Sequence, residues 1–505
     1  MKMINSLGRN VPKGETPFKS SNEFLNHKRK LISKKHITKK VEFFSSIEEA
    51  FDYFNLKSDM TFSFHHHLRN GDDVINLVCK EIEKRDLQNL HFAPSSIFPT
   101  YKEMVPCIKN GNITCIHTSY LNGEVASTIQ QGFLKGKLVM QTHGGRARSI
   151  ESGELKIDVA FLATPSVDKL GNGTGEIGKS ACGTLGYGVS DLEYAKVVLL
   201  VTDNVVSSLE RYQFDSKYVD GVIVIDKIGN PEGIVSGTTK ITRDPIGLKI
   251  AKDTANLLDK LGMIHDGFSM QTGAGGTSLA VANYVRDIMI SKKIKGSFAS
   301  GGITSYYVDM LKEGLFEKLY DVQCFDLEAV SSYKNNSNHI AISASKYGNP
   351  DEENPVCNKL DFIILGATEI DLNFNVNVTT DSFGNIIGGS GGHSDIAYGS
   401  KVTVVVSQLI KSRLPIIKEE LMTISTPGED IDIFVSERGI AINPKRTDLL
   451  EKLKNTTLQV YTMKELLDIT YSITGVPAKI KHSDKAVGIV EYRDGSVIDT
   501  LYQVG

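Results

Sequence analysis

The stretch AKVVLLVTD, residues 195–203, holds five consecutive apolar side chains. A strand with one face in water alternates apolar and polar residues, whereas a strand covered on both faces is a continuous apolar run. Four other stretches have the same character, namely LHFAPSSI (90–97), ITCIHTSY (113–120), KIDVAFLAT (156–164) and GVIVIDKI (221–228). Segments such as GDDVINLVCKEIEKR (71–85) carry an apolar stripe with helical spacing. This alternation predicts an α/β fold with a mainly parallel sheet.

A second series of strand and helix patterns follows a seam near residue 240. It includes GSFASGGIT (296–304), KLDFIILGATEI (359–370) and SKVTVVVSQLI (400–410), and it closes with a hairpin pattern, VGIVEYRDGSVIDTLYQV (487–504). The seam itself, residues 228–245, is rich in Gly, Pro and Thr, which is typical of a connection between domains. We therefore predict a basic N-terminal arm (1–40) and two tandem α/β domains (41–240 and 241–505). Each domain is expected to have a mainly parallel sheet flanked by helices.

The composition excludes several classes of protein. A net charge of −3 over 505 residues gives no field that favours nucleic acid or an anionic membrane. The N-terminus lacks the apolar segment of a secretory signal, and the apolar runs are too short to cross a bilayer, so we expect a cytoplasmic protein. The six cysteines form no CxxC pair and no metal-ligand spacing is present, so we predict reduced thiols and no metal. The first forty residues hold eleven basic residues against Glu15 and Glu23, which fits either a solvated segment or an arm that contacts an acidic partner.

Five glycine-rich turns follow the predicted strands. They are HGGRARS (143–149), GNGTGEIGKSACGTLGYG (171–188), QTGAGGTS (271–278), SGGITS (300–305) and GGSGGHSD (388–395). One such turn is often only structural, but ligands of parallel sheets bind outside the carboxyl ends of the strands, and five turns there favour a composite site. QTGAGGTS also precedes a helix, whose N-terminal amides can hold a phosphate or an oxyanion. Its spacing matches neither a P-loop nor a dinucleotide fingerprint.

The stretch SFHHHLRNGD (63–72) places three histidines and an arginine at the end of an apolar strand. His65 and His67 share one face of that strand and His66 lies on the other. A zinc site would need further ligands that the neighbouring sequence does not offer. Two interpretations stay open, which are satisfied buried histidines and a site for a small polyanionic acid beside Arg69.

Many uncommon strings occur here in one order and together resemble the citrate lyase alpha subunit family. They include SFHHHLRNGD, THGGRARSIESGELKIDVAFLATPSVDKLGNGTGEIGKSACGTLGYG (142–188), GFSMQTGAGGTSLAV (267–281), ATEIDLNFNVNV (367–378), GGSGGHSD and RGIAINPKRTDLL (438–450). The resemblance implies two CoA-transferase-like domains and a citrate CoA-transferase activity. That activity exchanges acetyl for citryl on the thiol of an acyl carrier protein, or on CoA. It also implies a citrate lyase beta subunit (citryl-ACP lyase) and a gamma subunit (the acyl carrier protein) as partners. We also expect this chain to form a homo-oligomer.

The resemblance also implies direct exchange through a mixed anhydride, with no permanently bound cofactor. Acyl-CoA, or the dephospho-CoA-derived group of the carrier, is then a substrate. The wider CoA-transferase group often uses a glutamate after the second-domain helix, where this chain has only Gly301 and Gly302. Transfer to citramalate, thioester hydrolysis and a non-catalytic ligand-binding role on the same fold remain as alternatives.

The candidate site residues fall into two sets. We predict that main-chain amides of one turn bind the oxyanion or thioester and that three polar side chains orient it. These residues are Gly273, Gly275, Gly276, His393, Ser394 and Asp395. We predict that a second set binds the citrate carboxylates and the rest of the substrate. It comprises His65, His66, Arg69, His143, Gly144, Gly145, Arg146, Gly301 and Gly302.

Overall fold

The computed structural model describes residues 3–23, 29–235, 240–454, 456–478, 480 and 483–504. The helices of this part of the chain are α1 (Ile47–Tyr53), α2 (Val74–Lys84), α3 (Met104–Asn110), α4 (Glu124–Gln130), α5 (His143–Glu151), α6 (Val189–Tyr194), α7 (Pro245–Lys260), α8 (Gly276–Lys292), α9 (Ser305–Lys312), α10 (Leu327–Asn335), α11 (Ala344–Gly348), α12 (His393–Gly399), α13 (Thr447–Leu453) and α14 (Met463–Thr474).

The strands up to the seam are β1 (Met3–Ile4), β2 (Asn10–Val11), β3 (Glu42–Phe44), β4 (Thr61–Phe64), β5 (Leu90–Pro94), β6 (Ile113–Thr118), β7 (Leu138–Met140), β8 (Val159–Ala163), β9 (Ser166–Asp168), β10 (Gly173–Thr174), β11 (Val197–Thr202), β12 (Val205–Val206) and β13 (Gly221–Val224). Those after it are β14 (Ser269–Thr272), β15 (Gly296–Ile303), β16 (Phe316–Cys324), β17 (His339–Ala341), β18 (Phe362–Gly366), β19 (Glu369–Asp371), β20 (Val376–Asn377), β21 (Val402–Val406), β22 (Ile410–Lys411), β23 (Leu414–Pro415), β24 (Ile417–Lys418), β25 (Ile433–Val435), β26 (Ile440–Ile442), β27 (Val460–Tyr461), β28 (Ala486–Glu491) and β29 (Val497–Tyr502).

Two large sheets organise the molecule. The first has the order β29-β28-β7-β6-β5-β4-β8-β11-β13-β3, and only its β28–β29 pair is antiparallel. The second has the order β17-β16-β15-β14-β18-β21-β25-β26-β27, and only its β25–β26 pair is antiparallel. The apolar runs of the sequence are strands of these sheets, and most of their side chains are buried, although Thr114, Cys115 and His117 of β6 are half-buried. The predicted α/β class with mainly parallel sheets is confirmed.

The C-terminal hairpin belongs to the first sheet, although the sequence placed it in the domain 241–505. β28 pairs in parallel with β7, so the chain returns to the sheet in which it began. The N-terminal segment packs on the same hairpin, because the Asn5 side-chain amide donates to the carbonyls of Val497 and Ile498. The division near residue 240 stays a prediction, and part of the seam, residues 236–239, lies outside the described residues.

Much of the basic N-terminal arm is held by acidic side chains of the same chain. Lys34 pairs with Glu193 at 2.7 Å, and Lys35 pairs with Asp220. Further along the arm, Arg9 lies 3.5 Å from Asp499. These ion pairs hold the described part of the arm against the elements of the first sheet. Residues 1–2 and 24–28 of the arm lie outside the described residues. In the described chain, the helices are all too short or too polar to cross a membrane.

Candidate active site

A cavity of about 690 Å³ lies where the carboxyl ends of strands from both sheets meet. On the first sheet its wall is built by residues that follow β4, β5, β6 and β7. On the second sheet the wall is built by the ends of β14, β15, β16 and β18 and the turns that follow them. Parallel strands direct their carboxyl ends to one edge, and the two edges face each other here. Two of the five glycine-rich turns, QTGAGGTS and GGSGGHSD, contribute most of their residues to this wall, and the other three contribute His143, Tyr187 and Gly302.

The structure divides the predicted site residues into two groups. The cavity wall contains His66, Arg69, His143, Gly273, Gly275, Gly302 and His393. Behind the wall lie His65, Gly144, Gly145, Arg146, Gly276, Gly301, Ser394 and Asp395. The second group is close in sequence to the first, and it supports the first by hydrogen bonds and packing.

Two buried histidines of the first sheet stack around a tyrosine. The rings of His66 and His143 lie 4.6 and 4.4 Å from the ring of Tyr187. Burial lowers the pKa of His143 to about 3 and holds the pKa of His66 well below its usual value, with neighbouring cations adding to the effect. Both rings are therefore neutral at pH 7 and can donate or accept a hydrogen bond without carrying charge.

Arg69 supplies the positive charge of the cavity wall. Its guanidinium lies 4.0 Å from the centre of the Phe325 ring and 5.7 Å from that of Phe98. Burial lowers its pKa to about 10, so it remains a cation at neutral pH. Among the described residues that line the cavity, none is an aspartate, a glutamate, a lysine or a cysteine. The site therefore suits an anionic substrate and offers no carboxylate, amine or thiol nucleophile from its wall.

Helix α8 begins at the cavity wall. Gly275 is its N-cap and lines the cavity together with Ala274. The first-turn amides of a helix have no partner within the helix, and the positive end of its dipole favours negative charge. The structure corrects the prediction for Gly273, because its amide already donates to the carbonyl of Ile364 at 2.7 Å. A Cβ at Gly276 would come within 3.0 Å of Lys240 backbone, so that glycine is needed for packing.

The glycines of GGSGGHSD serve close approach between the two sheets. A Cβ at Gly389 would come within 3.0 Å of the Ser119 carbonyl, and Gly391 donates its amide to that carbonyl at 3.0 Å. Gly391 then accepts from the His143 amide at 2.8 Å, with a φ of +52°. The backbone of residues 388–391 therefore packs against the main chain that follows β6 and β7, and the same residues line the cavity.

His393 and Ser394 are held by Thr426. The His393 ring contacts Thr426 Oγ1 at 2.8 Å and the Gly366 carbonyl at 3.2 Å, and burial lowers its pKa to about 4. Ser394 Oγ donates to the Ser425 carbonyl at 2.8 Å and lies 2.8 Å from Thr426 Oγ1. His393 therefore presents a neutral ring to the cavity, whereas Ser394 fixes the start of α12 and does not reach the cavity.

Arg146 points away from the cavity, which corrects its assignment to citrate. Both of its terminal nitrogens donate to the Asp191 carboxylate at 2.9 Å, and one also donates to Ser63 Oγ at 2.7 Å. Side chains three residues apart on a helix normally share a face, so the spacing on α5 does not separate His143 from Arg146. The separation comes from the buried Asp191 and Ser63, which hold the Arg146 guanidinium behind the wall. His65 is likewise behind the wall, where its ring contacts the Ala163 carbonyl at 2.7 Å.

Gly301 and Gly302 leave no room for side chains. A Cβ at Gly302 would collide with the Phe325 ring, and one at Gly301, whose φ is +113°, would come within 3.0 Å of the Gln271 side chain. Phe325 also stacks on Arg69. The aromatic ring thus fills the space beside this turn and holds the cationic group of the site.

Several polar wall residues were missed by sequence reasoning. They are Asn70, Ser96, Tyr120, Asn122, Tyr187, Gln271, Thr272, Gln323, Tyr347, Thr368 and Ser390. Gln271 donates to Tyr347 Oη at 2.8 Å, and Gln323 donates to the His66 carbonyl at 2.5 Å. The sequence could have indicated Gln271 and Gln323 as site residues, since both are amide side chains near the carboxyl end of a strand.

A buried Asp321, Cys324 and His339 cluster lies on the second sheet, outside the cavity wall. Asp321 Oδ2 is 3.0 Å from both the Cys324 thiol and the His339 ring, and the other ring nitrogen is 3.0 Å from Ser332 Oγ. These side chains form a hydrogen-bonded group around Asp321 Oδ2, while Asp321 Oδ1 is buried without a hydrogen-bond partner among the described residues.

Glu369 is also buried away from the cavity, where it pairs with Lys418 and accepts from Asn377 at 3.1 Å. It is therefore a structural ion-pair partner at a strand end.

Comparison with known proteins identifies the family. The family model "Citrate lyase, alpha subunit" matches residues 39–504. The citrate lyase alpha chain of Haemophilus influenzae is 44% identical over 461 residues, which are 91% of this chain and 92% of that protein. The citrate lyase alpha chain of Klebsiella pneumoniae is 38% identical over 500 residues, covering 98% of this chain and 97% of the relative.

Solved structures agree with this assignment. A crystal structure from Streptococcus mutans, described as the alpha subunit of citrate lyase in complex with citrate, superposes with a TM-score of 0.95 at 41% identity. It covers 99% of this chain and all of that one. The alpha subunit of a malonate decarboxylase from Acinetobacter baumannii has a TM-score of 0.63 at 13% identity, covering 90% of this chain and 87% of that chain, which shows a shared fold. The resemblance read from the sequence is confirmed, and the chain belongs to the citrate lyase alpha subunit family.

Proposed function

We propose that this chain is a citrate CoA-transferase, which converts an acetyl thioester and citrate to a citryl thioester and acetate. Membership of the citrate lyase alpha subunit family supports the reaction class, and the related structure from Streptococcus mutans holds citrate. The observation that carries the proposal is the cavity wall, whose described residues combine one buried arginine and a helix N-terminus with no acidic side chain. Such a wall suits a reaction between two bound substrates, one of them a polycarboxylate.

The reaction proceeds in two balanced steps. A citrate carboxylate oxygen attacks the acetyl carbonyl carbon, the C–S bond breaks, and the thiolate leaves a mixed anhydride of citrate and acetate. The thiolate then attacks the citryl carbonyl carbon, the bond from that carbon to the bridging oxygen breaks, and acetate leaves with that oxygen. Both steps pass through a tetrahedral oxyanion, and neither requires a proton to be moved by the protein.

The wall residues fit these demands. The first-turn amides of α8, which follow the N-cap Gly275, have no partner within the helix and are oriented donors for an oxyanion. One such donor is worth on the order of 10²–10³ in rate. Arg69 is the charged partner for a carboxylate that does not react. The neutral rings of His66 and His143 can hydrogen-bond citrate without attracting protons from it. His393 adds an uncharged ring to the wall, and both of its ring nitrogens contact protein atoms.

Transfer without a covalent enzyme intermediate is part of the proposal. The turn in which the wider group often carries a glutamate has Gly301 and Gly302 here, and Phe325 occupies the space that a side chain at Gly302 would need. Holding a weak carboxylate nucleophile against a carbonyl can contribute up to roughly 7–11 kcal/mol, so orientation can replace covalent catalysis.

We propose that the thiol substrate is CoA or the dephospho-CoA-derived group of an acyl carrier protein, and that no cofactor is permanently bound. The family is that of the alpha subunit of a complex, which supports a citryl-ACP lyase subunit and the carrier as partners. Copurification of the three subunits, followed by measurement of the mass of the assembly, tests this part separately.

An isotope experiment tests the reaction and its route together. Purified chain is mixed in excess with acetyl-CoA and citrate labelled with ¹⁸O in its carboxylates, and acetate from a single turnover is analysed by mass spectrometry. Direct transfer places one ¹⁸O in the acetate, because the bridging oxygen comes from citrate. A covalent glutamyl route instead gives unlabelled acetate and leaves ¹⁸O in the enzyme.

Parallel reactions separate the alternatives. Acetate release without citrate would identify a hydrolase, and a higher kcat/KM with citramalate than with citrate would identify a citramalate enzyme. Absence of acetate in every reaction would refute the proposed function and favour a ligand-binding role.

A further inference from the structure

Arg493 is a buried arginine at the turn of the C-terminal hairpin, between the two sheets. Its side chain is 2% exposed and its guanidinium lies 4.8 Å from the centre of the Tyr398 ring. One terminal nitrogen donates to the Gly348 carbonyl at 2.8 Å, and Nε lies 3.6 Å from Asp395 Oδ1. Arg493, which belongs to the hairpin of the first sheet, thus reaches the carboxylate of Asp395 on α12, which follows the seam.

Asp395 in turn holds the N-terminal turn of α5, which belongs to the first series. Its Oδ1 accepts from Thr142 Oγ1 and its Oδ2 accepts from the Gly144 amide, each at 2.8 Å. Thr142 is the N-cap of α5 and accepts from the Gly145 amide at 2.8 Å. His143, which faces the cavity, lies between the two groups that bind the carboxylate.

Packing at this junction leaves no space for movement. A Cβ at Gly144 would collide with the Gly348 carbonyl, and one at Gly348 would lie 2.8 Å from the Asp395 Cβ. A Cβ at Gly145 would lie 3.2 Å from the Arg493 carbonyl oxygen. Close-packed interiors transmit displacement, so a shift of the Asp395 carboxylate moves the start of α5.

We propose that Arg493 is a positioning residue for acyl transfer, which keeps Asp395 ionised and oriented so that Asp395 fixes the first turn of α5 and presents His143 to the cavity. The inference rests on the proposed function and deepens it, because it assigns a role to a hairpin that is remote in sequence from the glycine-rich turns. A misplacement of about 1 Å can cost on the order of 10²-fold in rate when orientation drives catalysis.

The protonation of Asp395 gives this proposal a specific signature. Burial raises its pKa to about 6, while Arg493 and the two hydrogen bonds from α5 oppose that rise. The neighbouring His143 and His393 have pKa values that burial lowers to about 3 and about 4, so both are mainly neutral above pH 5. The charge of Asp395 also acts on Tyr187, Tyr347 and Cys357. Burial raises the pKa of each of these three groups, so they stay neutral from pH 5 to 8. Protonation of Asp395 below about pH 6 removes the charge that binds the α5 turn.

The test compares Arg493→Gln, Arg493→Lys and Asp395→Asn with the wild type, using kcat for acetate release at saturating citrate from pH 5 to 8. We expect Arg493→Gln to lower kcat by about tenfold or more. We also expect it to move the acid limb of the profile upward by about one pH unit, because the opposing charge is lost. Arg493→Lys should restore most of the rate, and Asp395→Asn should abolish the limb. Ionisation of citrate is common to all variants, so the difference from the wild type is the measured quantity.

Asp371→Asn is the matched control. Asp371 is also a buried carboxyl whose pKa burial raises, but its oxygens accept from Asn373 and Asn375 at 2.8–2.9 Å. Its variant should keep the acid limb of the wild type. A limb that moves in Asp371→Asn, or one that stays in place in Arg493→Gln while kcat and Tm both fall, would show that Arg493 is only structural.

A second measurement separates this proposal from the proposed function. Hydrogen exchange of peptides that cover residues 142–146 should accelerate at pH 7 in Arg493→Gln and not in Arg493→Lys. If the wild type catalyses no transfer, the proposed function fails, and unchanged exchange in Arg493→Gln would then independently overturn the positioning role.

Discussion

Replacement of Gly275 by alanine tests whether the amides of α8 bind the oxyanion. Among the described atoms, the ideal Cβ at this position has one neighbour within 4 Å, Ser278 Oγ at 3.8 Å, and the backbone φ of −73° suits any L-residue. Alanine is a poorer N-cap than glycine, so we expect a loss of stability below about 1 kcal/mol. The protein should therefore fold, with a methyl group standing beside the first-turn amides.

The expected effect on the rate is much larger than the effect on stability. Blocking one oxyanion donor costs about 2.7–4 kcal/mol of transition-state stabilisation, or on the order of 10²–10³ in kcat. The assay is acetate release from acetyl-CoA at saturating citrate, with Tm measured in parallel. The KM for citrate should change little, since the interaction is made in the transition state.

Gly366→Ala provides the matched control for Gly275→Ala. Gly366 also lines the cavity, and a Cβ there meets no described atom within 4 Å, but it ends β18 and offers no free helix amide. We expect this variant to retain kcat within about threefold. Equal losses in both variants would mean that lost volume, and not the amides, limits the rate. A Gly275→Ala enzyme with wild-type kcat would refute the assignment of α8.

Three further predictions follow from the same site. Arg69→Ala should raise the KM for citrate about 10- to 100-fold, since a charged hydrogen bond contributes about 1.5–3 kcal/mol. Arg69→Lys should recover part of this loss of affinity. An unchanged KM in Arg69→Ala would remove Arg69 from the substrate contacts. Arg146→Ala should lower the free energy of unfolding in urea by about 3–5 kcal/mol by leaving Asp191 buried and unpaired, and a raised citrate KM at unchanged stability would contradict its structural role. The folded-state pKa of His393, about 4, is below its unfolded value near 6.5, so its contribution to stability is lost as pH falls through that window. Between about pH 6.5 and 4.5, the free energy of unfolding of His393→Gln should therefore fall by about 1.4 kcal/mol less per pH unit than that of the wild type. Unfolding free energies from urea that fall equally with pH in both proteins would contradict this.

The strands could be predicted because a buried strand is a short, continuous run of apolar residues in the sequence. AKVVLLVTD forms β11 (Val197–Thr202) and KIDVAFLAT forms β8 (Val159–Ala163), and the two are parallel neighbours. The hairpin at residues 486–502 was also predicted, but its place in the first sheet was not. Local sequence specifies that two strands form a hairpin, whereas the edge to which they add depends on a contact with β7, some 350 residues away in the chain.

The candidate site was predicted as a set of turns more accurately than as a set of side chains. The turns after β7, β14 and β15 do meet at one cavity, as the edge rule for parallel sheets requires. The surroundings of each side chain were not predictable. Arg146 and His143 are three residues apart on α5, a spacing that places side chains on one face of a helix, and yet they reach different surroundings. Charge alone suggested a carboxylate partner for Arg146, and the buried Asp191 already fills that role.

The sequence by itself determined the α/β class, the mainly parallel sheets and the family, because apolar runs and uncommon glycine-rich strings are properties of short segments. Only the tertiary structure decided which polar groups face the cavity and which support its wall, since that depends on contacts between segments distant in the chain. Gly391 against His143, and Arg493 against Asp395, are such contacts. No pattern of local spacing records them, because each exists only when the two sheets are brought edge to edge.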